Sequence, residues 1–93
     1  MKVSEVRLKI IDNDRAVKAI GSFTLDDAFV VKNIRVMEDR NGHHFVAFPS
    51  KAKADGTYED VAFPLSKELY AHITGVILGK YKELAKEQLQ EQA

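Results

Sequence analysis

Lysine and arginine are the residues of this chain best suited to chemistry, and that chemistry is contact with anions. Lys51 and Lys53 lie in the small, polar stretch 50–57, SKAKADGT. Ammonium groups on a flexible loop can neutralise phosphates and release their counterions, so that each contact steepens the salt dependence of binding. A solvated loop kept polar for solubility explains the same two residues. Arg7 and Lys9 share the polar side of the first apolar run, and Lys18 would join them from the next. Here too an ordinary solvent face that discourages edge pairing is an adequate account. Lys80, Lys82 and Lys86 give the last segment a basic end, which suits the macrodipole of a helix C-terminus. Lys80 falls inside an apolar stripe, so its stem would snorkel. The candidate nucleic-acid-binding residues are therefore Lys51, Lys53, Lys80, Lys82, Arg7 and Lys9. Arg35, between Ile34 and Val36, belongs either on an open sheet face or in a subunit interface.

Other chemistries find less support. His43 and His44 are adjacent, and adjacent side chains of a strand point to opposite faces, a poor arrangement for chelation. His72 has Glu68 four residues before it, which allows one His/Glu pair, short of a metal ligand set. Asp12, Asp14, Asp26 and Asp27 read as turn residues, whose short side chains bond their own backbone. Ser22, Ser50 and Ser66 have no evident base nearby in sequence, and there is neither a glycine-rich phosphate loop nor a nucleophile elbow. No enzyme, cofactor or metal site is expected.

The elements that must position these residues centre on 29–50, FVVKNIRVMEDRNGHHFVAFPS. Residues 29–37 and 45–48 are rich in Phe, Val and Ile, which suit a pleated, half-buried surface. Asn41-Gly42 between them is a strong hairpin signal, since both residues tolerate positive φ. Pro49 ends the second run. Upstream, 2–11 alternates with period two: Val6, Leu8 and Ile10 on one side, Glu5, Arg7 and Lys9 on the other. Asp12-Asn13-Asp14 is read as a turn. The next strand is 16–25, with Val17, Ala19, Phe23 and Leu25 on one face and Gly21 marking a bulge or a close neighbour. Asp26-Asp27-Ala28 turns into the central hairpin. Downstream, Asp55-Gly56 signals a further turn, and 58–63 is a short strand closed by Pro64. Ser66 is placed to cap a helix. Beyond it Leu69, Ile73, Val76, Ile77 and Leu84 fall on one stripe of period 3.6, with Tyr70 and Tyr81 at its margin. Gly75 and Gly79 lie off that stripe and break helix propensity, which points to close packing or a shared interface.

The expected fold is α+β: an antiparallel four- to five-stranded sheet followed by one C-terminal amphipathic helix. Residues 1–85 form a single domain, and 86–93 a polar tail that frays. Ninety-three residues bury only about two-thirds of the unfolded surface. One helix leaves a face or an edge of the sheet uncovered, so a homodimer is expected, with strand pairing through 45–48 as one route. Formal net charge is zero, so contact with a polyanion must come from a local patch and not from the overall field. There is no cysteine, no apolar run near the ~20 residues of a membrane helix, and no apolar core of a signal peptide at the N-terminus. A cytoplasmic protein without a membrane partner is expected.

An ordered series of short motifs carries a resemblance. It comprises Gly21-Ser22-Phe23-Thr24-Leu25-Asp26, Phe29-Val30-Val31, Asn33-Ile34-Arg35-Val36, Gly42 and Phe45-Val46-Ala47-Phe48-Pro49-Ser50. Asp55-Gly56, Asp60-Val61-Ala62, Pro64 and a helix reaching Tyr81 complete it. Over residues 1–82 the chain resembles the SpoVG family, the stage V sporulation protein G or septation proteins of bacteria. The chain departs from the family at Phe48, where Met is commoner, at Phe63, where His is commoner, and at Ala52, which separates two lysines where relatives often carry adjacent basic residues. The resemblance implies a homodimeric regulatory protein that binds DNA and RNA and is tied to septation and sporulation control. The alternative is a protein-interaction factor in cell division, acting through a division-related partner without nucleic acid.

Overall fold

The computed structural model describes residues 1–11 and 16–92, with side chains to Glu87; the expected turn at Asp12-Asn13-Asp14 lies outside the described residues. Four strands, β1 (Val3–Ile10), β2 (Val17–Leu25), β3 (Phe29–Glu38) and β4 (His44–Ala47), form an antiparallel sheet in the order β1-β2-β3-β4. Two short strands, β5 (Ser50–Ala52) and β6 (Tyr58–Asp60), pair only with each other in a second small sheet. One helix, α1 (Lys67–Gln92), packs across the sheet against β1 and β4. The fold is α+β, as its patterning predicts. No helix among the described residues is long and apolar enough to cross a membrane.

The core is the layer between sheet and helix. Ala19, Phe23, Leu25, Ile34, Val36 and Val46 supply the sheet side, and Ile73 and Ile77 the helix side. The period-two reading holds for β1, where Val6 and Leu8 pack on this core while Arg7 and Lys9 stay exposed, and for Ala19, Phe23 and Leu25 of β2. Val17 departs from it, because the register shift before Ala19 sets it opposite Met37 on the other face. Aromatic rings extend the layer, with Phe48 edge-on to Phe23 at 6.4 Å and facing Tyr70 at 6.1 Å. Ser66 caps α1 as its sequence position suggests, its hydroxyl accepting from the Leu69 N–H at 3.1 Å.

Several local features differ from the sequence reading. Val76 stays partly exposed, because α1 seats its Ile73–Ile77 line on the sheet and Val76 overhangs the β1 edge. Gly75 and Gly79 meet no neighbouring atom within 4 Å of where a Cβ would stand. They line a cleft against Val3–Val6 rather than a tight contact. Asn41-Gly42 does make the hairpin, but only Gly42 has positive φ (82°). The Gly42 N–H donates to Asp39 O and the Asp39 N–H to His43 O, giving a three-residue loop that ends on a left-handed glycine. The turn with two successive left-handed residues is instead Asp26-Asp27 (φ 51° and 53°). Gly21 has the close neighbour expected of it: a Cβ there would lie 1.8 Å from the backbone oxygen of Arg7.

Candidate nucleic-acid interface

The face of the sheet away from α1 is built by cross-strand register. Lys9 pairs with Ile20, Ile20 with Arg35, and Arg35 with Ala47, so one row crosses all four strands. The next row runs from Arg7 to Ser22. Opposite Ser22 the register shifts, because Gly21 pairs with Ile34 and Phe23 with Val31. Two residues of β3, Lys32 and Asn33, thus face one of β2, and Asn33 takes positive φ (63°). A shallow depression lined by Lys9, Ile20, Gly21, Ser22, Lys32 and Asn33 results. Neighbouring strands lie ~4.8 Å apart, which sets the Cα atoms of Lys9 and Arg35 ~10 Å from each other across Ile20.

Cations outnumber carboxylates among the described residues of this face. Arg7 pairs with Glu5 at 2.7 Å. Lys9 and Lys32 have no carboxylate partner among the described residues. Arg35 is half-buried and donates to the Ser50 hydroxyl at 3.4 Å. Apolar side chains border the cations: Ile20, between Lys9 and Arg35, is 42 % exposed, and Phe45, on the edge strand β4 in the next row with Met37, 43 %.

The candidates read from sequence divide into three groups. Arg7 and Lys9 come together on the open face, joined there by Arg35 and by Lys32. The sequence left Arg35 between two placements, and Lys32 was missed because its direction depends on the β3 irregularity. Lys51 and Lys53 are not in an open loop. Lys51 is the middle residue of β5, opposite Glu59. Lys53 closes a turn of the same design as the central one: its N–H donates to Thr57 O, and the Gly56 N–H to Lys53 O. The turn residues Asp55-Gly56 fold 50–52 back onto 58–60, too short and polar a pair to show a strand period. The foot of this hairpin touches the open face through the Arg35–Ser50 bond. Lys80 and Lys82 belong to α1, on the opposite side of the sheet, with Lys80 half-buried beside β1 and Lys82 exposed.

Lys18 does not share the open face. The register shifts between Val17 and Ala19, and the Lys18 ammonium reaches Glu38 at 3.5 Å. Glu38 pairs with His44, whose ring stacks on Tyr81 of α1 at 5.1 Å, so this group lies on the helix side. The histidines are placed apart: His43 beside Asp39 in the turn, His44 against Glu38 and Tyr81. His72 accepts the Val3 N–H at Nε2 (3.1 Å), tying the start of the edge strand to the helix. Among the described residues no three His, Asp or Glu side chains converge.

The model of the SpoVG family matches residues 1–83. The chain belongs to the SpoVG family. Its similarity to individual SpoVG proteins is spread over nearly the full length. It is 42 % identical over 88 residues to "Putative septation protein SpoVG 2" of Listeria monocytogenes serotype 4b, covering 95 % of this chain and 85 % of that protein. It is 45 % identical over 83 residues to "Putative septation protein SpoVG" of Staphylococcus carnosus, covering 89 % and 77 %. To the protein of the same name in Geobacillus thermodenitrificans it is 43 % identical over 93 residues, covering 98 % and 96 %. The SpoVG match takes in the whole sheet, both hairpins and the part of α1 that packs on the core.

Proposed function

We propose that this SpoVG-family chain is a homodimeric regulatory protein of septation and sporulation control that acts in the cytoplasm by binding DNA or RNA through the open face of its sheet. One observation carries the reading. Strand register gathers Lys9, Lys32 and Arg35 around Ile20 on the face that α1 leaves open, giving an electrically balanced chain a local site for phosphates. The septation part rests on the names of the relatives. The dimer is supported by the edge strands β1 and β4, each with one side of its backbone unpaired within the sheet. Binding rather than catalysis is supported by the polar groups: Ser50 engages Arg35, Ser66 caps the helix, and Asp39 and Asp55 brace turns.

Mobility shift of an oligonucleotide at several salt concentrations tests the reading. The expected result is binding at low salt that falls steeply as salt rises and is weakened by Lys9→Gln with Arg35→Gln. No shift at low salt would remove it. Light scattering at micromolar concentration tests the dimer, and a monomer mass would contradict it.

A second reading, a protein-interaction factor in cell division, has its own observation. Met1, Phe29 and Phe63 are exposed around an apolar pocket floored by Phe23, Phe48 and Ile73, a surface of the kind that receives a partner's side chain. A division-related protein that still binds after Lys9→Gln with Arg35→Gln would favour it.

A further inference from the structure

We infer that the open face takes single-stranded nucleic acid in preference to duplex, with Phe45 as the surface on which a base stacks and Lys9, Lys32 and Arg35 as the phosphate contacts. The inference rests on the binding reading above and specifies its ligand. Three features of the face carry it.

The first is width. The major groove of B-DNA, about 12 Å across, admits a helix or a two-stranded ribbon. This face is four strands wide, ~14 Å between its outer backbones before side chains are counted. It is too wide for the major groove of an undistorted duplex and would meet such a duplex along its phosphate ridges.

The second is composition. Phe45 and Ile20 are each more than two-fifths exposed, Ile20 between two cations and Phe45 in the row beside Arg35. Cross-strand pairing sets Phe45 opposite Met37 and Ile20 between Lys9 and Arg35. The outside of a duplex offers such side chains no apolar partner, because its bases are stacked inward. A single strand offers both surfaces at once, phosphates for the cations and base faces for the apolar groups.

The third is the arrangement of charge. Lys9 stands on β1 and Lys32 and Arg35 on β3, either side of β2; Lys9 and Lys32 line one depression, and Arg35 pairs with Ile20 at its margin. That spread lets a flexible backbone cross the strands while its bases lie on the intervening residues. Ile20 separates Lys9 from Arg35 along the row, which leaves an apolar step between two cationic ones.

The chain contains three tyrosines but no tryptophan, so Phe45→Trp introduces a single tryptophan, excited apart from the tyrosines, at the proposed stacking position. The probes are an oligonucleotide of ~10 nucleotides, as DNA and as RNA, and the duplex of the same sequence. The expected result is tighter binding of the single strands than of the duplex, with quenching of the Phe45→Trp emission on adding them. Phe45→Ala should weaken single-strand binding about tenfold and leave its salt dependence unchanged, since no phosphate contact is lost. Phe45→Leu keeps an apolar side chain while removing the ring, and should show the same weakening if Phe45→Ala does not fold. Equal or tighter duplex binding would overturn the inference and leave the binding reading intact. So would single-strand binding that neither quenches the fluorophore nor responds to Phe45→Leu. Failure of every probe to bind at low salt would overturn both.

Discussion

Gly21 faces the backbone oxygen of Arg7 so closely that a methyl group would stand 1.8 Å from it. β1 and β2 therefore approach each other at this point in a way that only glycine permits. The point matters for the candidate interface, since Gly21 lies between Ile20 and Ser22 and helps to line the depression with Lys9 and Lys32.

Gly21→Ala is expected to destabilise the chain by about 2 kcal/mol or more, because the obstacle is backbone and cannot swing aside. Gly75→Ala and Gly79→Ala should do the reverse. Both positions are helical and open to solvent, so alanine should stabilise α1 by roughly 0.5–1 kcal/mol each. Urea unfolding of the three variants checks the signs; a loss of stability at 75 or 79 would mean that the α1–β1 cleft is occupied in solution.

Acid should loosen the two hairpin turns. Asp39 accepts from the His43 and Asn41 N–H groups, the His43 bond having the larger effect, and its carboxyl is held below the ordinary 3.8. Asp55 accepts from the Thr57 hydroxyl (2.6 Å) and then from the Thr57 N–H, and is likewise lowered. A carboxyl more acidic in the folded state than in the unfolded one stabilises fully above its unfolded value, and that contribution goes as pH falls through its folded value. Carboxyl titration by carbon NMR should place both groups below ordinary aspartate, with the Asn41, His43 and Thr57 amides following the same curves. Asp39→Asn and Asp55→Asn should remove those inflections. Titration at or above the ordinary value would contradict the bonding described.

Loss of the helix cap should be visible in isolation from the core. Ser66→Ala removes the acceptor for the Leu69 N–H and should cost about 1 kcal/mol, while Ser66→Asp should restore it. Thermal or urea unfolding by circular dichroism measures both.

The sides of the sheet can be told apart by charge. For a polyanion on the open face, Lys9→Gln and Arg35→Gln should each lower the slope of log affinity against log salt by about 0.7 on a single strand. Lys80→Gln and Lys82→Gln, beyond the helix layer, should leave it unchanged. Lys51→Gln reports whether the hairpin tied to Arg35 borders the bound strand. A slope that responds only to Lys80 and Lys82 would move the interface to α1.

Alternation of apolar and charged residues sufficed to set the inward faces of β1 and of β2 from Ala19 onward, with Val17 displaced by the register shift, because a strand's side chains alternate by geometry and one face must leave water. The 3.6 period and Ser66 located the helix for the same kind of local reason. Gly21, Gly42 and Gly56 marked backbone conformations that other residues resist. What the chain could not reveal residue by residue is where those periods break. The irregularity that turns Lys18 toward Glu38 and the one that sets Lys32 opposite Ser22 arise from how neighbouring strands register, a property of pairs of segments distant in sequence. The meeting of Lys9, Ile20 and Arg35 in one row, with Lys80 and Lys82 behind the sheet, likewise exists only once β1, β2 and β3 have paired and α1 has closed over one face. Local sequence chose the elements and their buried sides; the pairing between elements decided which charges share a surface.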